Sequence, residues 1–272
     1  MLGHDYAHND HVALTADLAL IHECGLRVVS LDALVDGLSA AMTSSANVAS
    51  SAEVAITFDD GPVYDVRDFD HPEFGHQRGF LNILRDFQSA NAQDAQPGLH
   101  ATSFVIASPD ARKCMEATYD AAHSYVGTGC LSDDWWLPAI TTGLLAIGNH
   151  SFDHLHVGLP RVAHSRQLRG DFSQVLGDVD ADAQIADANV YISQRTERRN
   201  APFFAYPFGQ YNAFLTRQYL PANGSRIGLR AAFTTDGRAA TPRDSVWSVP
   251  RYVCGHHWTS SDQLRAIITG AH

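Results

Sequence analysis

The 272-residue chain is poor in positive charge, with 19 lysines and arginines against 30 aspartates and glutamates, a formal net charge of −11. Binding along a nucleic-acid backbone requires a basic surface, so this balance argues against nucleic acid as the main partner. No apolar run approaches the roughly 20 residues that a transmembrane helix needs, so we expect no membrane span. The first residues, Met1–Asp5, lack the basic and apolar regions of a signal peptide. We therefore expect a cytoplasmic protein if the chain starts at Met1, and an exported or periplasmic one if a leader has been removed.

Cysteine is also scarce. The four cysteines form no CxxC pair, which argues against a cysteine zinc site; they are Cys24, Cys114, Cys130 and Cys254. Cys114 and Cys130 have a spacing that allows a bridge across a local loop in an oxidising compartment, and four free thiols are the alternative. The sequence carries no indication of the oligomeric state.

What the chain does contain is enough apolar sequence for a sizeable core, at 45% hydrophobic residues. Strand-like and helical runs alternate without a linker or a repeat, which predicts an α/β fold with a mainly parallel sheet or barrel, in one domain spanning 1–272. Predicted strands lie at 27–31, 54–58, 102–106, 144–148, 203–206, 231–235 and 246–249. Predicted helices lie at 12–24, 78–90, within 171–198 and at 260–269. Residues 108–137 have no clear period and are interpreted as an inserted loop or lid.

Three of the predicted strands end in chemically distinctive residues. Asp59-Asp60 follows the second strand, His150 to His156 follows the fourth, and Pro207-Phe208-Gly209 follows the fifth. In parallel barrels the functional groups collect at the carboxyl ends of the strands. We therefore expect these three segments to meet on one rim.

The spacing of His150 and His154, four residues apart, predicts a shared metal site. On a helical turn this spacing places both imidazoles on one face, where they can bind a single cation. Two histidines and one carboxylate make a familiar open site for Zn²⁺. Of the adjacent Asp59 and Asp60, one can point at the metal while the other takes a proton from water, whose pKa a divalent ion lowers toward ~7. A solvated turn and a helix-surface histidine pair are the alternatives, and finding both motifs at strand ends favours the metal.

These motifs resemble those of the polysaccharide deacetylases, also called NodB-homology or carbohydrate esterase family 4 enzymes. Residues 57–62 (Thr-Phe-Asp-Asp-Gly-Pro) resemble the first family motif, and residues 148–154 resemble the second, H-[ST]-x-x-H. Residues 207–209 are similar to the end of the third motif, and residues 101–105 resemble the second strand of the family. The matches follow the family order and span most of residues 48–272.

The resemblance implies a distorted (β/α)7 barrel that removes N-acetyl groups from an amino-sugar oligo- or polysaccharide. It assigns one divalent metal ion, usually zinc, to Asp60, His150 and His154. Asp59 would be the general base. The segment Pro207-Phe208-Gly209 would face the substrate, with the backbone N–H of Phe208 as a donor to the oxyanion.

The third motif departs from the family pattern. The family places an arginine about two residues before the final proline, where this chain has Ala205 and Tyr206. Val249-Pro250-Arg251-Tyr252 resembles the Leu-Pro-Arg segment of the branch that contains the poly-N-acetylglucosamine deacetylases. The resemblance implies that Arg251 orients the general base, and an unrelated surface arginine is the alternative.

The general acid has two candidate positions. Most members carry a C-terminal histidine for this role, but in the poly-N-acetylglucosamine branch the order is permuted and the histidine precedes the Asp-Asp motif. Leu2-Gly3-His4 fits the permuted position, so His4 is the predicted acid. The rival is His256 or His257.

Two other functions share these residues. The same scaffold in related enzymes hydrolyses other linear or cyclic amides, and a non-catalytic carbohydrate-binding domain is the third hypothesis, against which the retained Asp59 argues. Trp135, Trp136 and Trp258 are candidate sugar-stacking platforms, with burial in the core as the alternative. His156 is expected beside the site or exposed.

Overall fold

The computed structural model describes residues 3, 5–43, 53–91, 95–120, 129–159 and 169–270. The chain divides into two compact units, each discontinuous in sequence. The terminal unit comprises Met1–Ile56, Tyr64–Ala101 and Tyr252–His272, and the central unit comprises Thr57–Val63 and Thr102–Arg251. The single catalytic domain expected over 1–272 stays a prediction. None of the helices in the described ranges has the length and apolar character of a bilayer span.

The strands of the described residues form one large sheet and two small ones. They are β1 (Arg27–Val28), β2 (Glu53–Val54), β3 (Ile56–Phe58), β4 (Phe69–His71), β5 (Gly75–Gln77), β6 (Ala101–Val105), β7 (Leu145–Asn149), β8 (Phe203–Ala205) and β9 (Ala231–Phe233). The large sheet has the order β3-β6-β7-β8-β9, while β1 pairs with β2 and β4 pairs with β5.

The helices of the same residues are interspersed with these strands. They are α1 (Asp10–Glu23), α2 (Leu31–Thr43), α3 (Phe80–Ala90), α4 (Pro109–Asp120), α5 (Trp136–Thr141), α6 (Asp178–Ala181), α7 (Asp187–Arg195), α8 (Leu220–Ile227) and α9 (Ser261–Thr269). Two π turns precede α7 and α8, at Asp182–Ala186 and Leu215–Tyr219. Short 3-10 turns lie at Tyr6–His8, Val63–Asp65, Phe172–Gln174 and Pro207–Gly209.

The large sheet forms the core on which the central unit is built. Every residue of β6, β8 and β9 is buried, as expected for strands of a parallel sheet that is covered on both faces. β8 runs parallel to both of its neighbours, with Asn149 opposite Phe204 and Phe204 opposite Ala232. Parallel pairing brings the carboxyl ends of β7, β8 and β9 to one edge of the sheet.

The terminal unit packs α1 against α3 and α9. The side chain of Asn9 accepts hydrogen bonds from the first N–H groups of α1, and the side chain of Ser260 accepts from Gln263 N in the first turn of α9. All four cysteines of the chain, Cys114 and Cys130 among them, are free in the structure.

The predicted strands at 102–106, 144–148, 203–206 and 231–235 agree with the structure to within two residues. The run 54–58 is instead split at Ala55 between β2 and β3, and 246–249 contributes only an isolated bridge at Val249. The predicted strand 27–31 is shorter because Leu31 already begins α2.

The segment 108–137 differs most from its prediction as an irregular insertion, because Pro109–Asp120 is a helix. The Ser108 hydroxyl accepts from the N–H of Ala111, and Pro109 occupies the first helical position. Four residues at helical spacing are buried on one face of this helix: Ala111, Arg112, Met115 and Glu116. Ser108 followed by Pro109 is thus a sequence pattern that predicts the start of this helix.

Candidate metal centre and active site

Three ligand-type atoms converge at the sheet edge of the central unit. The Nε2 atoms of His150 and His154 each lie 3.5 Å from Oδ1 of Asp60. One ligand-type atom from each residue lies within 4.8 Å of the others. The structure thus brings together the three residues predicted as ligands, and their role as ligands stays a prediction.

The two histidines do not lie on a helical turn, contrary to the spacing argument. They lie on an irregular loop after β7, in which Ser151, His154 and Leu155 have left-handed φ angles of 76°, 58° and 46°. The rings still meet, with centroids 5.0 Å apart. The prediction of a shared face was right for the side chains and wrong for the backbone, because the backbone hydrogen bonds of this loop go to distant segments rather than to a helical ladder.

The ring of His150 is fixed in the tautomer that a metal ligand requires. Its Nδ1 lies 2.9 Å from the carbonyl oxygen of Ala205. A carbonyl only accepts, so Nδ1 carries the proton and Nε2 is the nitrogen that points toward Asp60. Burial lowers the pKa of His154 to about 4, so the ring of His154 is neutral at pH 7. Both histidines therefore direct Nε2 at Asp60, the arrangement that a shared metal ion needs.

The carboxylate of Asp60 supplies the test of whether a metal fits here. Its Oδ1 is enclosed and finds no hydrogen-bond donor among the described residues, although burying an unpartnered polar atom is costly. Tetrahedral ligand atoms at zinc bond lengths of 2.0–2.1 Å lie roughly 3.3 Å apart, close to the 3.5 Å from Oδ1 to each histidine nitrogen. A divalent cation would satisfy this oxygen, so the residues present fit the metal.

A sharp turn presents the carboxylate of Asp60. Asp60 and Gly61 both have left-handed φ angles, of 73° and 69°. A Cβ on Gly61 would lie 2.5 Å from a side-chain carbon of Val105. The turn after β3 therefore requires glycine at this position.

Asp59 is paired with Arg251. Nη1 and Nη2 of Arg251 donate to the two carboxylate oxygens of Asp59 at 2.8 and 2.9 Å. Burial acts to raise the pKa of Asp59, but the charge and the hydrogen bonds of Arg251 outweigh it and hold the pKa at about 2. The carboxylate is therefore ionised, and its side chain remains about a third exposed, at 35%. This is the state that a general base needs, and that role stays a prediction.

Arg251 is itself held rigidly. Its Nε donates to the Thr234 carbonyl at 3.1 Å, its Nη1 donates to the Thr57 hydroxyl at 2.9 Å, and the guanidinium lies 5.5 Å from the ring centre of Phe104. Tyr206, at one of the two places where the family carries its arginine, donates from its buried hydroxyl to Trp247 O at 2.8 Å. The arginine that contacts the candidate base thus comes from the segment after β9.

The segment Pro207-Phe208-Gly209 forms a 3-10 turn beside the histidines. The Phe208 side chain is half exposed, and its ring meets the ring of His154 edge-on at 4.3 Å. Gly209 has a φ of 66°, and a Cβ there would lie 1.8 Å from the Thr235 hydroxyl, so only glycine fits. The first N–H groups of a helical turn have no partner within it, which suits the predicted oxyanion role of Phe208.

The general acid has three candidate histidines. His4 falls outside the described residues. His256 and His257 belong to the terminal unit, where their ring centroids lie 4.5 Å apart and Nδ1 of His257 accepts from Val253 N at 2.8 Å. Burial lowers the pKa of His257. The assignment of the acid stays a prediction.

The tryptophan hypothesis is wrong for two of its three members. Trp135 is 3% exposed and Trp136 is fully buried, so neither can stack on a sugar. Trp258 donates its Nε1–H to Asp17 at 3.3 Å within the terminal unit. His156 is half-buried beside the site, and its Nδ1 accepts from Gly158 N at 3.2 Å.

Two supports of the histidines have no motif in the sequence. One is the carbonyl of Ala205, which only the pairing of β7 with β8 brings to His150. The other is the π turn Asp182–Ala186, whose carbonyls reach the histidine-bearing loop. Backbone acceptors carry no residue type, so no sequence signal identifies them.

The family model of the polysaccharide deacetylases matches residues 46–224, more than half of the chain. The chain belongs to the polysaccharide deacetylase family. It is accordingly a hydrolase that acts on amide bonds. No curated protein sequence gives a significant match.

Solved structures share the fold at low sequence identity. IcaB from Ammonifex degensii has a TM-score of 0.60 at 17% identity, over 95% of this chain and 88% of that one. The deacetylase PplD of Streptococcus pyogenes, solved with acetate, has a TM-score of 0.58 at 16% identity, covering 94% and 85%. A de-N-acetylase from Aggregatibacter actinomycetemcomitans has a TM-score of 0.57 at 14% identity, covering 94% and 88%. The predicted α/β class, with the distorted barrel of the deacetylases, is confirmed.

Proposed function

We propose that this chain is a metal-dependent deacetylase that removes N-acetyl groups from an amino-sugar oligo- or polysaccharide. The observation that carries the proposal is the enclosed Oδ1 of Asp60, which lies 3.5 Å from Nε2 of each of two histidines and has no hydrogen-bond partner among the described residues. The ionised Asp59 follows directly from the preceding position in the chain. A ligand set and a neighbouring ionised carboxylate are the parts that amide hydrolysis by water requires.

Asp60, His150 and His154 would hold the ion. When bound, a divalent ion polarises the amide carbonyl and lowers the pKa of water. Asp59 accepts a proton from the attacking water, and Arg251 keeps both oxygens of that carboxylate in a fixed orientation.

Two further groups complete the hydrolysis, a donor to the oxyanion and a general acid. The backbone N–H of Phe208 donates to the carbonyl oxygen as negative charge develops there. His4, or its rival His256 or His257, donates a proton to the leaving nitrogen. Water and the N-acetyl group become acetate and a free amine on the sugar.

The test combines metal analysis with product analysis on the purified protein. We expect about one divalent ion per chain, zinc in the first instance, and acetate released from chitooligosaccharides or poly-N-acetylglucosamine. A fully active protein without metal would contradict the metal-dependent mechanism. Hydrolysis of a cyclic imide without acetate release would favour the alternative that the chain hydrolyses other linear or cyclic amides. Glycan binding without turnover would favour a non-catalytic carbohydrate-binding domain.

A further inference from the structure

The backbone of the histidine loop, residues 149–155, has a conformation that its own sequence does not favour. Ser151, His154 and Leu155 are all in the left-handed region, and non-glycine residues there cost about 1–3 kcal/mol each unless the surroundings impose the conformation. The elements that contact this loop therefore decide where His150 and His154 point.

One of those elements is the π turn Asp182–Ala186. The carbonyl oxygen of Gln184 accepts from the N–H of Phe152 at 2.8 Å. The carbonyl oxygen of Ile185 accepts from Nδ2 of Asn149 at 2.9 Å. Asn149 is fully buried, and its Oδ1 accepts from Ser151 N at 2.9 Å. Two consecutive carbonyls of the turn thus hold both sides of His150.

The turn presents these carbonyls because it is not α-helical. The N–H of Asp187 donates to the carbonyl of Asp182, five residues earlier, where a regular helix would use four. The extra residue shifts the hydrogen-bond register between α6 and α7, so carbonyls at the turn become available to groups outside the helix. π turns are rare and occur frequently at functional sites.

The first residue of the turn is anchored independently. Oδ1 of Asp182 accepts from the hydroxyl of Tyr219 at 2.6 Å and from Nη2 of Arg226 at 2.7 Å. These contacts tie the start of the turn to the second π turn and to α8. The anchor fixes the start of the turn through residues that are not part of the histidine loop.

We propose that the π turn Asp182–Ala186 is a positioning element for the metal site, acting through Asn149 and the N–H of Phe152 on the histidine loop. The inference rests on the proposed metal dependence and adds to it the part of the chain that sets metal affinity. His154 depends on this support more than His150, because Ala205 fixes the ring of His150 directly while Nδ1 of His154 has no partner among the described residues.

The first variant deletes Ala186, the last and half-buried residue of the turn. Removing one residue allows a continuous α-helix and rotates the preceding carbonyls by about 100° relative to α7. We expect zinc affinity, measured by competition with a chelator, to fall by roughly 10- to 100-fold, the usual effect of losing outer partners of metal ligands. In the metal-free protein, the amide of Phe152 should exchange with solvent faster than in the wild type.

The second variant protects the test against a deletion that fails to fold. Asn149→Leu keeps the side-chain size and removes both the donor to Ile185 and the acceptor for Ser151 N. Its matched control is Asn189→Leu, because Asn189 is also buried and donates to a helix carbonyl, that of Ile227, at 2.7 Å. Both variants should lower the melting temperature, but only Asn149→Leu should weaken zinc binding, by about 10-fold or more.

The outcomes separate this inference from the proposed function. A folded Ala186 deletion with zinc affinity within about 2-fold of the wild type overturns the inference, as do equal zinc affinities in Asn149→Leu and Asn189→Leu. A wild-type protein that binds zinc without releasing acetate contradicts the proposed function, and weaker zinc binding by the Ala186 deletion and Asn149→Leu then still supports the positioning role. A wild-type protein that binds no divalent ion overturns both.

Discussion

The candidate site has a carboxylate side, formed by Asp59 and Asp60, and a histidine side, formed by His150 and His154. Different kinds of contact hold these two sides in place. On the carboxylate side, the partly exposed Asp59 is held by another side chain, the paired donors of Arg251. On the histidine side, the two buried rings stand on a loop that backbone groups hold in place, through Val105, Ala205 and Gln184. A side-chain contact can be removed by one substitution, whereas a backbone contact follows the register of the segment that supplies it.

This difference predicts which changes each side tolerates. Substitutions should separate proton transfer from metal binding on the carboxylate side, because Asp59 and Asp60 are adjacent but face different partners. On the histidine side, changes in register should matter more than changes in surrounding side chains.

The largest expected effect comes from comparing Asp59→Asn with Asp60→Asn. Asp59→Asn removes the candidate base and should lower kcat by ~10²–10⁴-fold, while zinc affinity changes little. Asp60→Asn removes the charged ligand oxygen and should weaken zinc binding by more than ~100-fold. Chelator competition and acetate release on both variants check this. If Asp59→Asn loses zinc while Asp60→Asn keeps it, the two roles are exchanged.

The candidate residues show how much of the site the sequence allowed us to predict. Asp59, Asp60, His150 and His154 were proposed because their chemistry depends on residue type, which a sequence states directly, and their roles stay predictions. Parallel strands then bring their carboxyl ends to one edge, and the structure places Asp60 with both histidines. Neither step required the exact backbone conformation.

The backbone of the histidine loop could not be predicted in this way. The i, i+4 spacing favoured a helical turn, but the N–H groups of His150 and Phe152 donate to carbonyls of Val105 and Gln184, which are more than 30 residues distant in the sequence. Long-range acceptors of this kind depend on the tertiary fold and leave no periodic pattern. The start of α4 is a different case. Ser108-Pro109 is a typical helix start, and the interpretation of residues 108–137 as an irregular loop overlooked it.

The next effect in size is that of Arg251→Lys. Lysine cannot reproduce the two parallel bonds of a guanidinium to a carboxylate, so Asp59 should lose its fixed orientation and kcat should fall by roughly 10- to 100-fold. The pKa of Asp59, held at about 2 largely by Arg251, should rise when the contact loosens. A base must be ionised, so the acid limb of the activity profile should move to higher pH.

A matched control for Arg251→Lys is available in the same unit. Arg238 makes a similar pair with Asp244, at 2.9 and 2.6 Å. Arg238→Lys should leave both kcat and the acid limb unchanged. An unshifted acid limb in Arg251→Lys, with wild-type kcat, would show that Arg251 does not orient the base.

The smallest effect on zinc affinity is expected from a change near a backbone hydrogen bond on the carboxylate side. The N–H of Val63, three residues after Asp60, donates to the carbonyl of Cys130 at 2.6 Å. The segment around Cys130 is held in turn by the buried carboxylate of Glu116, which accepts from Gly129 N at 3.0 Å and Leu131 N at 2.7 Å.

Glu116→Gln tests how much this contact contributes. Glutamine keeps one acceptor and buries an N–H against a backbone donor, which should destabilise the fold by about 1–3 kcal/mol, measured by denaturant unfolding. Zinc affinity should stay within about 3-fold of the wild type, well short of the loss that is usual for outer partners of metal ligands. The reason is that Arg251 holds Asp59, and the turn at Asp60 and Gly61 separates the Asp60 carboxylate from the contact at Val63. If Glu116→Gln weakens zinc binding as much as Asn149→Leu does, the carboxylate side also depends on backbone register and the contrast between the two sides is wrong.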